Sequence, residues 1–202
     1  MHKLAVGLTE YLIKNEIKTE LTKEQYIYEL EVFLTKIVGY GFFLVTGILL
    51  HKFIPTMLYM ASFFWLRKRT GGFHMESEVG CVILSIITYF AVLGIGDCPW
   101  FQNSVFEIGI TVISGFIIFF LAPLNHPNLN MTSEEYKHCK IAARLRMGVL
   151  GIIILIMIQR KCLVAEVPYL VLGLGFDAGA LLFGKLVRQE VRVSDKSEKE
   201  NA

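Results

Sequence analysis

Val105-Phe-Glu-Ile-Gly-Ile-Thr-Val-Ile-Ser-Gly-Phe-Ile-Ile-Phe-Phe-Leu-Ala-Pro-Leu124 is a run of 20 residues with a single charge, Glu107. At about 1.5 Å per helical residue it reaches about 30 Å, the thickness of the hydrocarbon core of a bilayer. Five other apolar segments lie around it: Ile37–Leu50, Phe53–Leu66, Val79–Gly96, Met147–Ile158 and Leu163–Leu186. Phe53–Leu66 and Met147–Ile158 are short for a span, so they either borrow flanking residues or thin the membrane locally. Composition agrees with a membrane setting. Hydrophobic residues make up 54% and charged residues 19% of the 202, against about 45–50% and about 25% in soluble domains. Mean hydropathy is +0.53. The expected fold class is all-α: a polytopic membrane protein with about six transmembrane helices and an N-terminal amphipathic helical region. Four or five full spans are also compatible with the segment lengths.

Charge placement orients the expected layout. With the N-terminus inside, the inner segments hold 17 of the 20 Lys and Arg residues. Only Lys52, Arg160 and Lys161 fall in outer loops, which is the positive-inside asymmetry. Both termini and the loop after Leu66 are thereby expected in the cytoplasm. Glu107, near the outer end of its span, is expected to snorkel to the interface.

Residues 1–36 form the expected N-terminal region. Leu4, Leu8, Tyr11 and Leu12 recur at helical spacing, as do Tyr26, Ile27, Leu30, Phe33, Leu34 and Ile37. Lys and Glu occupy the other faces. The pattern fits an in-plane membrane helix or a solvated helical hairpin equally well. Thr22 and Gln25 have capping-box spacing, as do Thr132 and Glu135. Residues 37–187 form the transmembrane domain and 188–202 a charged cytoplasmic tail. No cleavable signal is visible, because the first 36 residues are charged throughout. The four cysteines, Cys81, Cys98, Cys139 and Cys162, contain no CxxC and suggest no disulfide framework. A Cys98–Cys162 bridge and a His126–His138–Cys139 metal site are minor alternatives. No cofactor and no metal are expected.

Chemistry concentrates in one stretch, Arg67-Lys-Arg-Thr-Gly-Gly-Phe-His74-Met-Glu-Ser-Glu-Val-Gly-Cys81. Taken singly, a cysteine near a helix is usually an inert small hydrophobe and a loop histidine is usually solvated. Here a base and a nucleophile fall within one segment at a membrane edge. A thiol with an ordinary pKa near 8.5 needs activation to attack at neutral pH. His74 is placed to take the proton, Arg67, Lys68 and Arg69 supply positive field, and a helix starting near Val79 puts Cys81 in its favourable first turn. On one continuous helix, residues seven apart are separated by about 10.5 Å along the axis, too far for a hydrogen-bonded dyad. The chain must therefore bend between His74 and Cys81, or the pair must form across a dimer interface. Gly71, Gly72 and Gly80 permit the bend. For an acid that orients the base, the candidates are Glu76 and Glu78, with Ser77 beside them, and Asp177, an acid inside an apolar segment.

The pattern Arg67-x-x-x-Gly71-Gly72-x-His74-x6-Cys81 resembles the signature of the AgrB family, bacterial membrane cysteine endopeptidases of peptide quorum sensing. The likeness extends to the length, the amphipathic N-terminus, the six-segment layout and the Ala122-Pro123 loop followed by a polar helix. It implies Cys81 as nucleophile, His74 as general base, and Arg67 and Gly72 as supporting residues. It implies an AgrD-type propeptide as substrate. The enzyme would remove the peptide's acidic C-terminal tail and support cyclisation to a thiolactone or lactone. The family's Asn-Lys-Pro-like run after the loop prolines is replaced here by Asn128-Leu-Asn-Met, and Asp177 matches no family motif. The implied partners are the propeptide and the lipid bilayer. A homodimer is compatible with the short spans, and no nucleic acid is expected. A small transporter, suggested by Asp177 and the glycines Gly173, Gly175, Gly179 and Gly184, and a non-enzymatic scaffold are the competing readings.

Overall fold

The structure, a computed structural model, describes residues 2–14, 23–73, 75, 78–125 and 131–191. They form seven α-helices and one short 3-10 turn. The chain divides into two units, residues 1–51 and residues 52–202.

The first unit contains α1 (His2–Lys14) and α2 (Lys23–Leu49), packed against each other. Lys23 pairs with Glu10 across the two helices at 3.3 Å. The polar stretch after Lys23 and the first apolar segment form one unbroken helix of 27 residues. Nothing in Lys36-Ile-Val-Gly could stop it, since a lone glycine inside a helix costs only about 1 kcal/mol. Thr22 and its expected cap lie outside the described residues.

The second unit contains α3 (Phe53–Thr70), α4 (Glu78–Gly96), the 3-10 turn (Pro99–Gln102), α5 (Ser104–Leu121), α6 (Ser133–Arg160) and α7 (Val167–Leu186). Helix α7 is its axis. Twelve of its 20 residues are buried, and α3, α4, α5 and α6 all pack on it. α6 joins the polar helix after Met131 to the apolar segment Met147–Ile158 in one 28-residue helix. The expected capping box opens it: Thr132 Oγ1 accepts from the Glu135 amide at 3.3 Å, and Glu135 Oε2 accepts from the Thr132 amide at 2.8 Å.

Among the described residues, four helices are long and apolar enough to cross a membrane: Leu30–Leu49 of α2, α5, α6 and α7. The other two of the six expected segments are α4, whose apolar stretch Gly80–Gly96 is shorter, and α3, which ends in Arg67, Lys68 and Arg69.

Two helices, α3 and α5, bury stripes rich in polar residues beside the apolar core. The buried stripe of α5 is Glu107, Thr111, Ser114 and Ile118, while Val112, Ile113, Phe116 and Phe120 are exposed. The buried stripe of α3 is Thr56, Tyr59, Ser62, Leu66 and Thr70. Water would expel such an arrangement, whereas lipid favours it. Apolar side chains gain nothing by leaving acyl chains, so small and polar residues mediate helix contact. Gly173 of α7 illustrates the closeness, for a Cβ there would collide with the Ser62 hydroxyl. Glu107 is part of the stripe. It is only 4% exposed and does not snorkel, and its Oε1 has no hydrogen-bond partner among the described residues.

One end of this unit is closed by Lys52, Asp97 and Tyr169. Lys52 pairs with Asp97, and the Tyr169 hydroxyl donates to the same carboxylate oxygen at 2.6 Å. The Lys52 ammonium and the Tyr169 hydroxyl hold the Asp97 carboxyl below its ordinary pKa, and Asp97 raises that of Lys52. Cys98 and Cys162 are exposed free thiols at this end. The opposite end carries the Gly71–Cys81 loop.

Candidate active site

Helix α3 stops where Gly71 and Gly72 take φ of +69° and +116°. That region is open to glycine and strained for other residues. Space forbids a side chain as well. A Cβ on Gly71 would lie 2.6 Å from the Leu124 carbonyl oxygen, and one on Gly72 would run into the Arg67 guanidinium.

Arg67 builds the turn. Its Nη1 donates to the Gly71 carbonyl at 2.6 Å and its Nη2 to the Phe73 carbonyl. One planar fork thus holds two carbonyls, a task that suits arginine and not lysine. The far side of the turn lies on α7. The Phe73 amide donates to the Ala180 carbonyl at 2.9 Å, and the Phe73 ring meets Phe183 edge-on at 4.8 Å. A Cβ on Gly184 would stand 2.9 Å from the Phe73 nitrogen, so glycine is what lets the loop approach the helix.

The loop then returns to α4. Cys81 is the fourth residue of that helix and is half-buried. The Met75 amide donates to its Sγ at 3.3 Å, and the thiol faces the Met75 carbonyl at 3.9 Å. α3 ends at Thr70, α4 begins at Glu78, and Met75 between them meets the cysteine. His74, Glu76 and Ser77 lie outside the described residues. Glu78 opens α4, and its side chain lies outside them too.

Asp177 is fully buried. Both its carboxylate oxygens accept from the Thr70 hydroxyl, at 3.1 and 2.9 Å. Arg67 interacts electrostatically with Asp177 and with Cys81. The acid is therefore tied to the end of α3.

The segment after α5 completes the frame. Ala122–Asn125 is extended and buried, with a cis peptide before Pro123. The Leu124 amide donates to the Thr70 carbonyl at 2.9 Å. Asn125 Oδ1 accepts from the Met131 amide at 2.9 Å, its Nδ2 donates to the Val191 carbonyl at 3.2 Å, and its own carbonyl accepts from the Val191 amide at 2.8 Å. Thr70, Leu124 and Asn125 were not singled out in the sequence, although Thr70, between Arg69 and Gly71, stood inside the quoted stretch. Gly184 was singled out only for the transporter reading.

The neighbouring arginines close helix ends. Arg144 donates to the Phe119 carbonyl at 3.0 Å and stacks 4.1 Å from its ring, at the C-terminal end of α5. Arg146 donates to the Trp65 carbonyl at 2.5 Å. Cations at the last carbonyls complement the negative end of a helix. Arg69 Nη1 lies 3.7 Å from the sulfur of Cys139. That thiol is buried, and His126 of the alternative metal site lies outside the described residues.

Fold and site together define a multi-pass α-helical membrane protein with a cysteine at a helix start, reached by a glycine-hinged, arginine-held loop. The chain matches the family Accessory gene regulator B over residues 5–176. It belongs to the AgrB family, and with it to the agr quorum-sensing system. Relatives carrying the name "Putative AgrB-like protein" are 27% identical in Listeria monocytogenes serotype 4a (strain HCC23), over 85% of this chain and 83% of the relative, and 26% identical in Clostridium perfringens (strain SM101), over 70% and 69%. One from Lactiplantibacillus plantarum is 37% identical over 49 residues, 24% of each chain. No solved structure matches this chain.

Proposed function

We propose that this protein is a membrane cysteine endopeptidase that removes the C-terminal tail of an AgrD-type propeptide and supports its cyclisation. Cys81 is the nucleophile and His74 the general base. Arg67, Gly71 and Gly72 support the loop that carries His74. The observation behind this reading is the 3.3 Å contact between the Met75 amide and the Cys81 sulfur. His74 is covalently adjacent to Met75, which supports its assignment as the base that serves this thiol.

In the proposed cycle His74 takes the Sγ proton as sulfur attacks the scissile carbonyl. The C–N bond breaks, the proton passes to the leaving amine, and a thioester remains on Cys81. A Cys or Ser side chain of the bound peptide then attacks the thioester. Its S–C or O–C bond forms as the Cys81 bond breaks, and the released proton returns to the enzyme thiol. Exchange of one thioester for another is nearly isoenergetic, so the acyl group's reactivity is kept for ring closure. Amides at the start of α4 are suited to the oxyanion. By the charge asymmetry of the sequence the site faces the cytoplasm, where Lys and Arg suit an acidic tail.

Asp177 is engaged by Thr70, Gly173 by Ser62 and Gly184 by the loop, contacts that support a packing role for these three of the residues behind the exporter reading.

The test is co-expression with the propeptide, read by mass spectrometry. Wild type is expected to release the tail, while Cys81→Ala and His74→Ala, at equal membrane levels, leave it attached. Tail removal by Cys81→Ala would reject the peptidase reading.

A further inference from the structure

We infer that Asp177 is a positioning residue that acts on the catalytic loop through Thr70 and the turn that Arg67 holds. The inference rests on the peptidase reading above and deepens it. Asp177 is the fully buried acid of α7, and both its oxygens are occupied by one hydroxyl, that of Thr70. A buried carboxyl needs hydrogen-bond partners, and the Thr70 hydroxyl is the partner at this one. Arg67 and Tyr59 of α3 are the titratable groups that interact electrostatically with it.

The arginine is oriented in turn. Its guanidinium spends Nη1 on the Gly71 carbonyl and Nη2 on that of Phe73, the residue before His74. Thr70 links the same elements a second way, since its own carbonyl accepts from Leu124. The chain of contacts runs from Asp177 to Thr70, from Thr70 into the Gly71–Phe73 turn that Arg67 holds, and then to Met75 on Cys81. Replacing Asp177 removes the partner that fixes Thr70 at the end of α3, and the turn loses its register.

Such a residue has a signature that separates it from a direct acid and from mere packing. Its effect must vanish when Arg67 is already gone. The readouts are tail-removal kinetics and the alkylation rate of Cys81 by a small maleimide, in a Cys98→Ala, Cys139→Ala, Cys162→Ala background. Asp177→Asn, Arg67→Gln and the double variant are compared at equal membrane levels. Displacing a loop by about 1 Å is expected to cost about 10²-fold in turnover number with KM nearly unchanged. Each single variant should slow alkylation by a similar factor, and the double variant should be no slower than Arg67→Gln alone. Multiplying effects on alkylation, a loss carried by KM, or an Asp177→Asn variant that alkylates at the wild-type rate would each overturn the inference. If Asp177→Asn fails to accumulate, Thr70→Val takes its place in the same cycle with the same expectation. Failure of this cycle leaves the Cys81→Ala result standing, so the two readings fail separately.

Discussion

Gly72→Ala is the sharpest single perturbation of the loop. At φ of +116° an L side chain is strained, which costs about 1–3 kcal/mol. The added Cβ would also occupy the place of the Arg67 guanidinium, and its next neighbours are the Arg67 Cζ at 3.1 Å and the Leu181 amide at 3.2 Å. Something must yield, and the flexible partner is Arg67. If it swings away, one hydrogen bond from a charged group is lost, worth about 1.5–3 kcal/mol. The smaller ends of both ranges sum to about 2.5 kcal/mol against the native loop, or about 60-fold in rate at about 1.4 kcal/mol per factor of ten. Tail removal measured by mass spectrometry over a time course is therefore expected to fall at least 50-fold in Gly72→Ala, by about that arithmetic. Gly94→Ala provides the control, since nothing lies within 4 Å of its Cβ and alanine favours the helix. Cleavage by Gly72→Ala within a few-fold of Gly94→Ala would refute the claim that Arg67 and the glycine turn hold the site.

Other substitutions address other parts of the frame. Gly173→Val should separate α3 from α7, because even a Cβ collides with Ser62; overpacking of this kind costs about 1–3 kcal/mol, and a lower melting temperature in detergent would register it. Thr132→Ala removes the α6 cap and should cost about 1 kcal/mol, again visible as a lower melting temperature with cleavage retained. The Lys52–Asp97 pair gives a pH dependence with a definite sign. The Asp97 carboxyl is depressed in the fold, so its stabilisation is present above its ordinary range near 3.8 and is lost as pH falls through the lower folded value. Lys52 is raised, so its stabilisation is present below its ordinary range near 10.5 and is lost above the higher folded value. Both groups are partly exposed, so the effect is small. Melting curves of wild type should lose this increment at acid pH relative to Asp97→Asn, and an identical acid slope in both proteins would contradict the pairing.

The apolar runs made the helices of the second unit legible, because the run around Val105–Leu124 has no alternative to a span. Segment joins were less legible. Lys36-Ile37 and Arg146-Met147 mark changes in hydropathy, yet the backbone has no reason to break there, so α2 and α6 run through. Glu107 was expected at the interface and is buried instead, because helix-facing stripes in lipid are polar and a pattern of apolar residues does not report them. In the site, the glycines announced a turn and the spacing of His74 and Cys81 required a bend. What the sequence could not reveal was that Thr70 faces Asp177, 107 residues away, or that Leu124 and Gly184 form the floor of the loop. Such pairings depend on helix rotation and depth, which periodicity leaves free when every face is apolar.

That dependence makes the packing of α7 part of the chemistry. Gly173, Asp177 and Gly184 fall four and seven residues apart, so they share one helix face. Each receives a different element: Ser62 of α3, Thr70 at its end, and the Gly72–Phe73 backbone. The three contacts must be made together. Sliding α3 by one turn, about 5.4 Å, would set Ser62 against a side chain, leave Asp177 buried without Thr70, and carry Arg67 away from the turn it holds. Lipid supplies no hydrophobic force to choose among such registers, since every apolar face is solvated equally well by acyl chains. A buried acid whose hydrogen-bond partner is the Thr70 hydroxyl does choose. In the positioning role inferred above, Asp177 sets the depth of α3, and the depth of α3 sets the reach of Arg67 to the Gly71–Phe73 turn.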